Sequence, residues 1–430
     1  MAVLPREIDY SQKLATLPSN TSCLSAVVAP ANGSTFSTDS ALIYFDLPSR
    51  GFMVPSSLYL RYKVTAVAGT TIPIIKGIPF STFFSKSEVL IGSQIVESIQ
   101  QYGQLYNIMV NTKLNHATKT SMAYGFGLID NATVPTYSNL NGRTLAASST
   151  QYFTMAAPLG NILSNCDHLV PLGMMPSVRI QLTTEALSTI LFQGSATTTF
   201  SLSNLELCMD IIEFGDDVNR IVASMADTEG NIFLKSQSFS SSSQYLASAS
   251  SGQVELVFNQ RLSSIKSVIA NFGKATLNTI YDSVDVTSST QSGSTGGDYQ
   301  FVIAGQTFPP RPISTVTGKA GAFMELMNCW GPAHSIETNN MSITPAEFSY
   351  ISAGTTTGLI PGKFYVGCNV EKLSTNNALL TGQSSMLSPI SLRINIGSTA
   401  TGEVHTVTLI CCYDAILSIN VITRQASVKQ

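Results

Sequence analysis

"PSVRIQLTTE" occupies Pro176–Glu185, and "ISLRINIGST" occupies Ile390–Thr399 towards the far end of a 430-residue chain. Aligned on Ser177 and Ser391, both read Ser, aliphatic, Arg, Ile, amide, aliphatic, at an offset of 214 positions. In the first copy Val178, Ile180 and Leu182 alternate with Arg179, Gln181 and Thr183. That period of two is the mark of a strand with one buried face. Two further stretches repeat in the same order. "IYFD" (Ile43–Asp46) matches "LVFN" (Leu256–Asn259) at an offset of 213, and "VLIGSQ" (Val89–Gln94) matches "FVIAGQ" (Phe301–Gln306) at 212. Six apolar and polar letters recur easily in any β protein, so each match alone is weak. Three in order at nearly one offset predict a duplicated β-rich unit, with residues near 41–214 superposing on residues near 253–421 and Ser177–Leu182 lying over Ser391–Ile396.

The surrounding segments extend the repeat by type of element. "LYLRYKVTA" places Leu60, Tyr62, Val64 and Ala66 on one face of a strand. After "VLIGSQ", the spacing of Ile95, Ile99, Tyr102, Tyr106 and Met109 predicts a helix. After "FVIAGQ" and the proline-rich "TFPPRPI", Phe323, Met327 and Trp330 in "AGAFMELMNCW" predict its counterpart. Each half closes on a long apolar run, "FSLSNLELCMDIIEF" from Phe200 and "HTVTLICCYDAILSINV" from His405. Between the halves, "GDDVNR" and the serine-rich "SQSFSSSSQYLASASSG" are poor in core-forming residues. The expected division is an arm and leading strand over 1–40, a first sandwich over 41–218, a linker and second leading strand over 219–250, and a second sandwich with its tail over 251–430. "VTSSTQSGSTGGD" (Val286–Asp298) reads as an exposed loop.

Composition narrows the function. Charged residues are 11% of the chain against the usual quarter, and the net charge is −3. The surface is therefore largely neutral, as suits a protein whose flanks are covered by other copies. Only Arg6 and Lys13 are cationic among the first forty residues, so no basic tail is available to neutralise phosphates, and no direct sequence-specific nucleic-acid binding is expected. "MAVLPREIDYSQK" has a proline and charges where a secretory signal needs an apolar run, and no stretch approaches the 18 or more apolar residues of a membrane span. Seven cysteines, at 23, 166, 208, 329, 368, 411 and 412, contain no C-x-x-C and read as reduced thiols. Sequons begin at Asn20, Asn32, Asn131 and Asn340, a number that a Ser- and Thr-rich chain produces by chance.

No chemistry-bearing motif survives comparison with its plainer reading. "GDD" at Gly215–Asp217 lacks the partner aspartate motif and basic channel of a polymerase and reads as a junction turn. His116, His168, His334 and His405 form no H-x-H or H-x-x-x-H pair. Cys166 and His168 lie two apart, whereas a catalytic thiol and imidazole normally come from separate elements. Cys411 and Cys412, adjacent in a strand, read as fillers on opposite faces. "GFGLID" at Gly125 lacks the third glycine of a dinucleotide fingerprint. The expectation is no enzyme, no catalytic residue, no cofactor and no metal.

"STDSALIYFDLPSRGFMVPSSLYLRYKVT" (Ser37–Thr65) and "GIPFSTFFSKSEVLIGSQIVESIQQYGQLYNIM" (Gly77–Met109) resemble the first jelly roll of viral double jelly-roll major capsid proteins. In the second stretch Glu97, Ile99, Tyr102 and Leu105 occupy the places of that family's strand-and-helix pattern. "YQFVIAGQTFPPRPI" followed by "AGAFMELMNCWG" resembles the strand, proline turn and helix of its second roll. The resemblance implies an all-β fold of two tandem eight-stranded jelly rolls, each with a short helix in a long connection. It also implies a pseudo-hexameric homotrimer that tiles an icosahedral shell around the genome, in a tailless virus of mostly double-stranded DNA type. Penton and minor capsid proteins, and in some members an inner membrane, would be partners; the site of action would be the virion, with assembly in the host cytoplasm or nucleus. Two other readings stand beside it: the shell-plus-protrusion capsid protein of a small RNA virus, and a glycan-binding pair of β-sandwiches. The first normally brings a basic arm and unlike halves, the second an aromatic platform for which Trp330 is the single tryptophan.

Overall fold

A computed structural model describes residues 21–70, 74–129, 142–193, 198–224, 230–247, 252–274, 283, 285–286, 297–315, 318–330, 341–348, 362–372, 380–396 and 405–429. Alternating apolar residues build eight principal strands in the first half. They are β1 (Ser22–Val28), β2 (Leu42–Asp46), β3 (Tyr59–Val67), β4 (Phe84–Ile91), β5 (Gln94–Gln100), β6 (Thr150–Pro158), β7 (Val178–Thr184) and β8 (Thr199–Glu213). Helices α1 (Tyr102–Lys113) and α2 (His116–Ser121) lie between β5 and β6, and α3 (Asp216–Ser224) follows β8. The second half repeats the set with β9 (Asn231–Leu246), β10 (Gly252–Phe258), β11 (Ile265–Lys274), β12 (Asp298–Ile303), β13 (Gln306–Ser314), β14 (Tyr365–Asn369), β15 (Ile390–Ile396) and β16 (His405–Asn420). Helix α4 (Ala320–Asn328) lies between β13 and β14, and a final strand β17 (Gln425–Lys429) pairs with β16.

The two halves have the same sheet order. In the first, β1-β8-β3-β6 faces β2-β7-β4-β5; in the second, β9-β16-β11-β14 faces β10-β15-β12-β13. Every neighbouring pair is antiparallel. Inward residues such as Leu60, Tyr62, Val64 and Ile180 in one roll, and Val268, Tyr299, Leu392 and Ile394 in the other, are fully buried. Full burial of each such aliphatic side chain contributes roughly 1.5–3 kcal/mol.

The strands of the opening match, β7 and β15, therefore hold the same place in their sheets, but two residues out of the expected register. Arg179 stands opposite Leu90, and Ser391 stands opposite Val302. The ladders thus equate Arg179 with Ser391, an offset of 212, where the letters equate Ser177 with Ser391. A slip of two leaves every side chain on the same face, so hydrophobic patterning cannot detect it. The "VLIGSQ" and "FVIAGQ" match needs no correction: each is the end of one strand, a two-residue turn and the start of the next, Gly92–Ser93 in one and Ala304–Gly305 in the other. What the letters did align at 214 is a pair of surface arginines. Arg179 grips Asp46 with Nε–Oδ1 at 2.6 Å and a second nitrogen at 3.2 Å; Arg393 reaches Glu255 at 3.4 Å. Both pairs are about half exposed. Asp46→Asn is accordingly expected to lower stability by no more than about 1 kcal/mol in denaturant titration.

Four local expectations change. Ile95–Ile99 belongs to strand β5, not to a helix, and the helix begins only at Tyr102. The hairpin with β4 takes these residues, because Val96, Glu97 and Ile99 are buried while Ile95 is exposed. The proline run of the second half is not a turn but edge strand β13; its outer side has no neighbour, so Pro309, Pro310 and Pro312 forfeit no ladder bond there. The serine-rich run is no linker. Ser236–Leu246 lies in the 16-residue strand β9, paired with β16 along its whole length, and Gly215–Asp217 leads into α3 instead of forming a turn. The 286–298 loop, apart from its ends, lies outside the described residues, as do His334, Asn20, Asn131 and Asn340.

Candidate assembly interface

The catalytic candidates fall apart in space. The Cys166 thiol donates to the Ile162 carbonyl at 3.3 Å, and burial pushes it up to about 12, so it supplies no thiolate. His168 is exposed and pairs with Asp167 at 2.9 Å. His116 opens α2, and His405 is buried at the start of β16. Cys411 and Cys412 are both buried, as the filler reading requires, and burial pushes the Cys412 thiol up to about 11. Gly125 and Gly127 lie in a turn beyond α2, with Gly127 at φ +75°. Asn32 holds a turn instead of presenting a free amide: its Nδ2 donates to the Leu42 carbonyl at 2.6 Å. Among the described residues no group of three or more His, Cys, Asp or Glu is placed to hold a metal, and no helix is long and apolar enough to cross a membrane.

What the fold builds with care is the seam between the rolls. Strand β5, at the edge of the first roll, abuts β9, at the edge of the second. Here the serines find their purpose. The Ser236 hydroxyl donates to the Ile162 carbonyl at 2.5 Å, and that of Ser241 to the Gln100 carbonyl at 2.7 Å. Asn165 Nδ2 donates to the Gln237 carbonyl at 3.1 Å, and the Asp167 amide to the Lys235 carbonyl at 3.0 Å. Ser238 donates to Glu97 Oε1 at 2.5 Å, while Glu97 Oε2 accepts the Ile162 amide at 2.9 Å. Glu97 is fully buried, and desolvation raises its pKa to about 7 despite those two donors.

Two further contacts lock the seam. Trp330, just past α4, donates its Nε1–H to Thr112 Oγ1 at 2.8 Å and meets the Phe239 ring edge-on at 6.0 Å, with the Lys113 ammonium 5.1 Å above it. The indole is thus spent on packing one roll against the other and offers no platform for a sugar. Below it, the Asn111 carbonyl accepts the Ser342 amide at 3.0 Å, and Asn111 Oδ1 accepts from Lys119 at 2.8 Å. Glu347 and Lys363 form a buried pair at 2.5 Å. Burial and the neighbouring Lys363 charge hold Lys119 well below the usual lysine range. Sequence reading picked out Glu97 and Trp330 but missed that they meet a serine run at a seam, because "SQIVES" and that run carry no charge pattern; the one available signal was an acid inside an apolar alternation.

The matching strands β1 and β13 have no such cover among the described residues. Strand β1 is the first-roll counterpart of β9, yet Leu24 is 40% exposed and Val27 56% exposed, and Cys23 is exposed as well. Strand β13, the counterpart of β5, is exposed or half-exposed throughout. No family model matches the chain, and no curated relative matches it. Its backbone is similar to the Faustovirus major capsid protein, with a TM-score of 0.63 at 10% identity over 96% of this chain and 92% of that one. It is also similar to the capsid protein of PBCV-1, with a TM-score of 0.58 at 10% identity over 97% and 99%. The mavirus major capsid protein gives 0.54 at 10% identity over 100% and 95%. The chain has the double jelly-roll fold. A double jelly roll matched end to end at such low identity shares architecture and not letters. In this double jelly roll four of the edge strands are of greatest interest: β5 and β9 joined within the chain, and β1 and β13 left open among the described residues.

Proposed function

We propose that the chain is the major capsid protein of an icosahedral virus, assembling as pseudo-hexameric homotrimers that pack side by side and enclose the genome. The observation that carries this reading is the covered seam beside the two uncovered edges. Within one chain the β5 edge of a roll meets the β9 edge of the next. The counterpart edges, β13 and β1, are the same two kinds of surface, so a second copy can repeat the contact from β13 of one chain to β1 of its neighbour. Such a head-to-tail contact closes into a ring when the rotation allows, and three copies give the six similar sides that a hexagonal net requires. Exposed apolar residues on β1 and the low charge of the chain favour that burial.

The shell-plus-protrusion reading calls for unlike halves, whereas these repeat strand for strand. The glycan-binding reading loses its aromatic platform at Trp330. Residues 41–218 and 251–430, each completed by its leading strand β1 or β9, would be the two rolls, working as structure and not as an enzyme, in the virion, after assembly in host cytoplasm or nucleus. Penton and minor capsid proteins and an inner membrane would be the further partners. Native mass spectrometry at micromolar concentration tests the oligomer: a trimer is expected, with more than roughly 2,000 Å² buried per pair of chains. A monomer or dimer at every salt concentration would remove the reading. Deleting residues 1–20 is expected to leave the trimer intact and impair shell closure under electron microscopy. With only Arg6 and Lys13 as cations, the same segment as a peptide should show no salt-dependent binding to nucleic acid.

A further inference from the structure

Lys266, Glu371 and Asp414 meet inside the second roll, away from the contacts invoked for assembly. Lys266 sits at the start of β11, where the register with β16 shifts between Ile265 and Ser267; these two face Tyr413 and Cys412, so Lys266 is the extra residue of a bulge. Bulges re-aim a side chain, and this one carries the lysine to the carboxylates. Its Nζ lies 3.1 Å from Glu371 Oε1 and 3.9 Å from Asp414 Oδ1. Asp414 is fully buried and its two oxygens are treated differently. Oδ2 accepts from Ser264 Oγ at 2.7 Å and from the Thr381 amide at 3.0 Å, with Thr381 Oγ1 also 3.2 Å away. Oδ1, facing the lysine, has no hydrogen-bond partner. A buried carboxylate oxygen left so is uncommon and calls for an explanation. At the corresponding place in the first roll Met53 faces Ile211, with Val54 and Ile212 beside them, so the duplication holds the constellation once.

We propose that Lys266 and Asp414 condense into an intramolecular isopeptide bond, with Glu371 as the proton carrier. Glu371 takes a proton from the Lys266 ammonium, and the freed amine attacks Asp414 Cγ. The negative charge gathering on Oδ2 is met by the Thr381 amide and the Ser264 hydroxyl, donors already aimed at that atom. Oδ1 leaves as water, taking the proton held by Glu371 and the second proton that the nitrogen loses on becoming an amide. Ammonium and carboxylate thus become amide and water, with no oxidant or co-reactant. Thr381 Oγ1 donates to Glu371 Oε1 at 2.5 Å, holding the carrier beside both reactants.

Intact mass of the denatured full-length chain decides the matter. The expected value is lower than the sequence mass by one water, and digestion yields a branched peptide joining Lys266 to Asp414. In Asp414→Asn the same attack expels ammonia, so the deficit changes to that of ammonia. Glu371→Gln should retain the circular dichroism of the parent and carry the full, uncondensed mass. A parent chain at full sequence mass, with Lys266 and Asp414 in separate linear peptides, overturns the proposal. Undiminished cross-linking in Glu371→Gln overturns the role given to that residue. Neither result depends on whether the protein forms trimers, so this test and that of the capsid reading fail separately.

Discussion

Leu24→Asp with Val27→Asp on β1 should convert a trimer into a folded monomer. Both side chains are substantially exposed in the single chain, so the roll loses little when they change. In the ring proposed above the β1 edge meets the β13 edge of the next copy, with Leu24 on one face of the strand and Val27 on the other, and each carboxylate placed in that contact would be stripped of water without a partner. That desolvation costs several kcal/mol per charge, and two such sites in each of three contacts raise the dissociation constant by many orders of magnitude. Native mass spectrometry and light scattering read the mass directly, while circular dichroism checks that the monomer keeps its strands. A trimer of unchanged stability would place the β1 face outside the contact and undo the head-to-tail arrangement.

Stability should fall as pH rises through the range set by Glu97, by about 3 kcal/mol in all. Its folded pKa is about 7 against an ordinary 4.5. Below 4.5 both folded and unfolded chains hold the proton and nothing is lost. Between 4.5 and 7 the folded chain keeps a proton that the unfolded chain has released, so each unit of pH removes about 1.4 kcal/mol; above 7 the loss levels off. Protonated at Oε1, the acid can donate to Ser238, whose hydroxyl then turns to another acceptor, and Oε2 still receives the Ile162 amide. Glu97→Gln mimics that state. The groups around the carboxyl from each packed element are Tyr102, Tyr413 and Cys166, all raised far above neutrality by burial. None competes for protons in this range. The unfolding free energy of Glu97→Gln minus that of the parent should therefore grow by about 2.5 kcal/mol between pH 5 and pH 8. A flat difference would mean that the carboxylate stays ionised at the seam.

How much of this could be read from letters depends on what each feature asks of the sequence. Burial on one face of a strand demands alternation, and alternation is visible, so β3, β7 and the turn after β4 were legible together with the duplication. Register to within two residues was not, because a slip of two satisfies the same faces. Ile95–Ile99 satisfied a helical spacing and a strand's alternation at once; the hairpin with β4 decided between them. Ser236 and Ser238 looked like linker because their stabilising partners, Ile162 and Glu97, lie about 70 and 140 residues away in the other roll. Separation in sequence likewise hides Lys266 from Glu371 and Asp414, which become neighbours only when β11, β14 and β16 are laid side by side.

The seam from β5 to β9 is covalently supplied, and that alters the kinetics of any ring built from it. Six separate rolls would have to find one another by a process steeply dependent on protein concentration. With rolls already joined in pairs, half of the contacts form during folding at an effective concentration set by the chain connecting them, and dilution cannot undo them. Only the remaining three contacts respond to mass action. Newly made protein would then stay as stable two-roll units until its concentration crosses a threshold, and a ring that loses a member sheds two rolls at once, never one.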